Sequence, residues 1–150
     1  MHMIPKPVLK SLITRRIEDS KVLLNNHRYP ATVYMSGYAL ELALKYRISS
    51  LMKLNAGFPE NKTEFNLYHT DTKKVTLRNN INELRDIRHH KLAVLLRYSG
   101  EQVNIETHFG TAWDFVKDWS PEMRYSNSIV RKQKAEDFLK YVRIIVNEIM

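Results

Sequence analysis

Cysteine is absent from the 150-residue chain, which excludes a disulfide framework, a thiolate metal site and a cysteine nucleophile. Glycine and proline are scarce, at four and five residues, too few for a sandwich or barrel built on many tight turns. No apolar run approaches the ~20 residues that span a bilayer. The opening stretch MHMIPKPVLKSLITRRIEDS lacks the continuous apolar core of a signal peptide. Internal repeats and low-complexity tracts are also missing. The expectation is one domain over residues 1–150, in a reducing cytoplasm, with no membrane partner.

Acidic charge is in deficit: 16 Asp and Glu face 24 Lys and Arg, for a formal charge of +8. Such a surplus favours anionic partners such as nucleotides or nucleic acid. The basic residues are nonetheless spread along the chain, and only Lys73–Lys74 and the RKQK run at 131–134 cluster. A merely soluble basic surface accounts for them equally well.

Apolar residues make up 43% of the chain, and they recur at helical spacing. Leu9, Leu12, Ile13, Ile17 and Leu24 predict an amphipathic first helix, broken by NNHRYP. Pro30 suits the first turn of a second helix running to about Leu54. A loop insertion is expected at about 55–75, with Gly57 and Pro59 as breakers. Leu77, Ile81 and Leu84 resume the helical period, and HKLAVLLRYSG carries it to a stop at Gly100. The spacing leaves open whether 76–98 is one helix or two. Ile105, Phe109, Ala112, Trp113 and Val116 predict a further helix, and Ala135, Phe138, Leu139, Val142, Ile145, Val146 and Ile149 the last. The fold class is all-α, an antiparallel bundle of four to five helices.

The second helix carries the chemistry. At 100° per residue, Tyr34, Tyr38, Glu41 and Lys45 fall within about 60° of one another. This polar stripe has apolar residues on both flanks, Val33, Leu40 and Leu44 on one side, Met35, Leu42 and Tyr46 on the other. Glu41 and Lys45, at i and i+4, are spaced to pair. Gly37 weakens the helix by about 1 kcal/mol relative to alanine, a cost that makes sense where a neighbouring helix or a ligand comes close. The stripe is a self-satisfied seam, the face of a contact with a second subunit, or the wall of a groove.

Three segments together resemble the HEPN family. RYPATVYMSGYALELALKYRI is similar to its second-helix pattern of glycine followed by A-[LV]-E-x-x-[LI]-K. HHKLAVLLRYSG is similar to its His-Asp-Leu segment, with His90 in place and Lys91 where aspartate is usual. WSPEMRY with the final helix resembles its Trp-x-x-x-x-Arg-Tyr loop and terminal helix. The resemblance covers about residues 15–149, apart from 55–85. It implies a helical bundle that dimerises, and either a metal-independent RNase or a nucleotide-binding accessory module. Such modules often stand beside a nucleotidyltransferase partner in toxin–antitoxin or defence systems.

Two sets of residues follow as candidates. The binding set is Arg124, Tyr125, His90, Lys45, Tyr38 and Glu41. A guanidinium holds a phosphate by two hydrogen bonds and an aromatic ring stacks on a base. In the plainer alternative, Arg124 pairs with Glu41 inside the bundle. The catalytic alternative is Arg85 with His90, at the Arg-x(4–6)-His spacing of the RNase branch; on a regular helix these two point about 140° apart. The third alternative is a non-catalytic interaction module. His69-x-Asp71 and His89–His90 lack metal-ligand geometry, and no Walker or dinucleotide glycine pattern is found. No metal and no cofactor are therefore expected.

Overall fold

The computed structural model describes residues 3–68 and 90–150. Leu77, Ile81 and Leu84, expected to open a helix, lie outside them. The described residues are all-helical, apart from one isolated bridge between Ile4 and Phe58. No helix among them is long and apolar enough to cross a membrane.

Helix α1 spans Lys6–Asn25, with Pro5 at its N-cap and Pro7 in the first turn, where a missing N–H does no harm. It ends in a Schellman motif: Arg28 N–H donates to Leu23 O at 2.9 Å and His27 N–H to Leu24 O at 3.1 Å. His27 takes the left-handed position with φ 59°, a place usually given to glycine. The NNHRYP break is thus a tight reversal, and α2 (Tyr29–Leu51) begins at once and packs along α1.

Helix α2 is central. It touches α1, α4 (Leu92–Ser99), the 3-10 turn at Pro121–Tyr125 and the final helix α7 (Lys132–Ile149). This is why both of its flanks are apolar: Val33, Leu40, Leu44 and Ile48 are fully buried and Leu42 nearly so. The residues expected to face the core from the last helix are the buried ones, Ala135 through Ile149. Each larger side chain among them contributes roughly 1.5–3 kcal/mol by leaving water.

Three segments differ in detail from the periodicity. The helix expected across Ile105–Val116 is two short ones, α5 (Gln102–His108) and α6 (Gly110–Val116). Between them Phe109 adopts φ −130° and ψ 29°, yet its N–H still donates to Ile105 O and its carbonyl accepts from Trp113 N–H, so the apolar phase carries across the break. Within the 55–75 stretch, Lys62–Leu67 forms the short helix α3, and Asn61 Oδ1 accepts from Glu64 N–H at 2.9 Å as its cap. Further on, Lys91 has an extended backbone (φ −78°, ψ 109°), so α4 starts at Leu92 and His90 precedes it. The helix stops at Gly100, which is left-handed at φ 78°.

Candidate functional site

An open groove of about 480 Å³ runs beside α2. Its floor is the polar stripe: Tyr34, Tyr38, Glu41 and Lys45 all line it, as their angular spacing requires. His90, on the segment leading into α4, closes one side, and Leu12, Met35 and Leu42 supply apolar wall.

Glu41 organises the polar end. Its carboxylate is 1% exposed, in the middle of a helix that packs on its neighbours from several sides. A charge in that position requires partners, and each oxygen has one. Oε2 lies 3.6 Å from Lys45 Nζ, the i, i+4 pair that the spacing anticipates. Oε1 makes a hydrogen bond with His90 Nδ1 at 2.5 Å. Lys45 is 2% exposed, and its ammonium also lies 5.2 Å from the centroid of the Phe58 ring, a cation–π contact. His90 is different: its side chain is about half exposed. Positive charge is thus buried behind the carboxylate, and the imidazole stands in front of it at the groove.

At the other end of the stripe aromatic packing takes over. Tyr34 and Tyr38 meet edge to face at 5.0 Å, and Tyr38 meets Trp119 the same way at 5.1 Å. Trp119 reaches α2 because position 37 is glycine. A Cβ there would lie 2.1 Å from the indole ring atoms, well inside van der Waals contact. The close approach expected at Gly37 therefore comes from a side chain, neither a helix backbone nor a ligand. The indole Nε1 is buried with no hydrogen-bond acceptor among the described residues.

The structure thus gathers Tyr38, Glu41, Lys45 and His90 at one groove. Arg124 and Tyr125 lie on the 3-10 turn that packs against α2, and the Tyr125 ring is exposed. Of Arg124 only the backbone is described. Arg85, His69, Asp71 and His89 lie outside the described residues. Among those that are described, no three His, Asp or Glu side chains converge as metal ligands.

Two groove residues escaped the sequence reading, Arg16 and Glu60. Arg16 carried a usable signal: it is one helical turn beyond Leu12 on α1, the helix whose hairpin partner bears the stripe. Its guanidinium lies 3.4 Å from Asp19. Glu60 stands before α3 in an irregular stretch, where no period indicates which way a residue faces. Comparison of the chain with family models, curated proteins and solved structures finds no match.

Proposed function

We propose that the groove beside α2 recognises the phosphate and base of a nucleotide or of RNA, the chain being a HEPN-like antiparallel bundle that serves as an accessory module. The observation that carries this reading is the buried Glu41 carboxylate holding His90 at the mouth of the groove. An imidazolium so held donates its second N–H to a phosphate oxygen. Apolar wall from Leu12, Met35 and Leu42, with the tyrosine pair beside it, suits the flat face of a base. The +8 charge draws anions to the surface. In this reading Arg124 and Tyr125 flank the site as phosphate clamp and stacking ring, the chain is a homodimer, and a nucleotidyltransferase of a toxin–antitoxin or defence system is the protein partner.

A thermal-shift panel of nucleotides and short RNAs tests it. Ligand at 100 times Kd should stabilise the wild type by about 2.7 kcal/mol. That gain should be lost in His90→Ala and reduced in Arg124→Ala. No shift across the panel in the wild type would remove the nucleotide reading and leave a non-catalytic interaction module.

The Glu41–His90 contact favours a second reading, a metal-independent endoribonuclease. A histidine oriented by a carboxylate is suited to take the proton from a ribose 2′-hydroxyl as that oxygen attacks the adjacent phosphorus. The P–O5′ bond breaks as the P–O2′ bond forms, and the leaving oxygen takes a proton from water, giving a 2′,3′-cyclic phosphate and a free 5′-hydroxyl. Arg85 is the cation this reading pairs with His90. Cleavage of single-stranded RNA in the presence of chelator, abolished by His90→Ala, is its expected signature; cleavage that survives His90→Ala ends it.

A further inference from the structure

We infer that the buried Lys45–Glu41 pair is a positioning device for His90, which fixes the imidazole proton on Nδ1 and leaves Nε2 as the atom that meets a phosphate ester in the groove. The ligand assignment rests on the reading of the groove as a nucleotide site; the placement of the proton does not.

A carboxylate has only lone pairs to offer, so the 2.5 Å contact between Glu41 Oε1 and His90 Nδ1 requires the hydrogen to sit on Nδ1. Glu41 is kept in that role from behind. Lys45 faces its other oxygen at 3.6 Å, and with both side chains almost fully buried, solvent does not replace either partner. Both groups are on one helix, one turn apart, so the backbone of α2 sets their spacing. His90 is the only member of the row that is substantially exposed, and no hydrogen bond to its Nε2 occurs among the described residues. Nε2 is then an acceptor when the ring is neutral and a donor when it is charged, with Nδ1 protonated in both states. Among the described residues, the charged or titratable side chains that line the groove with this row are Tyr34 and Tyr38 on α2, Arg16 from α1 and Glu60 from the stretch before α3.

Stability alone does not account for the arrangement. Apolar residues of similar volume pack an interior helix as well as a buried ion pair does, and often better. What an apolar pair lacks is a fixed acceptor for the imidazole.

Nitrogen-15 NMR of the imidazole reads the proton position directly, with the His90 signal assigned from a His90→Asn variant. In the wild type the neutral ring should show a protonated Nδ1 and a bare Nε2. A wild-type ring protonated at Nε2 overturns the inference. In the double variant E41L/K45M, which removes both buried charges and the acceptor together and so keeps the helix foldable, Nε2-protonated imidazole should become the main neutral form. Affinity for adenosine 5′-monophosphate, measured by titration calorimetry, should fall about tenfold or more, because the imidazolium whose Nε2–H donates to a phosphate oxygen loses its carboxylate counter-charge. An unchanged proton position in the double variant also overturns the inference, because Glu41 would then not be its cause. The two readings separate cleanly. A wild type with Nδ1 protonated that binds no nucleotide keeps the positioning pair and sinks the nucleotide groove; one that binds nucleotide with Nε2 protonated does the reverse.

Discussion

Replacing Glu41 with alanine should lower the unfolding free energy by about 3–5 kcal/mol, the cost of leaving a buried charge without its partner. The truncation strands the Lys45 ammonium, which is 2% exposed and has the Glu41 carboxylate as its ion-pair partner. The cavity left by the lost side chain adds to the loss. Urea unfolding would show this as a lower midpoint with an unchanged slope. The companion variant, Glu41→Leu with Lys45→Met, removes both charges and fills the space, and should recover most of the stability. The coupling between positions 41 and 45 would then be large, as it is for residues in direct contact. A loss below about 1 kcal/mol in Glu41→Ala would put the pair in the class of solvent-exposed ion pairs and contradict its burial.

The second large effect is expected at Gly37. Because a Cβ there falls 2.1 Å from the Trp119 ring, Gly37→Ala must expel the indole or shift the 3-10 turn that follows it. The expected loss is similar to that of deleting a buried tryptophan, about 3–5 kcal/mol. Trp119→Ala should cost the same order, since the ring is buried against Tyr34 and Tyr38. The decisive measurement is the double variant. With the indole already gone, alanine at 37 meets no ring, and its helix propensity should return about 1 kcal/mol. Gly37→Ala would therefore be strongly destabilising in the wild type and mildly stabilising in the Trp119→Ala background. Simple additivity of the two changes would show that the ring and the glycine do not share the space.

Much of this architecture was legible in the residues because helical periodicity reports burial directly. The final helix is the clearest case: every position from Ala135 to Ile149 that the period put inside is buried. For α2 the same period told more, since a polar stripe between two apolar flanks anticipated both its central place and the 41–45 pair. The break at Phe109 was not legible, because α5 and α6 keep the apolar phase on either side of it. The Glu41–His90 contact was beyond periodicity as well. It joins positions far apart in the chain, and His90 lies in the extended lead to α4, where no helical phase gives its direction. Gly37 showed that something comes close, yet no local pattern could say that the visitor is an indole.

That indole has a consequence for how the chain assembles. The α1–α2 hairpin contains its own contacts and a three-residue reversal, so its closure is a local and rapid event. The notch at Gly37 is filled by a ring supplied from the far half of the chain, after α4, α5 and α6 have been traversed. Contacts of such long range form only once the intervening loop entropy has been met. Until Trp119 docks, the hairpin keeps an open slot beside Tyr34 and Tyr38, and the aromatic end of the stripe is completed in the later stages of folding.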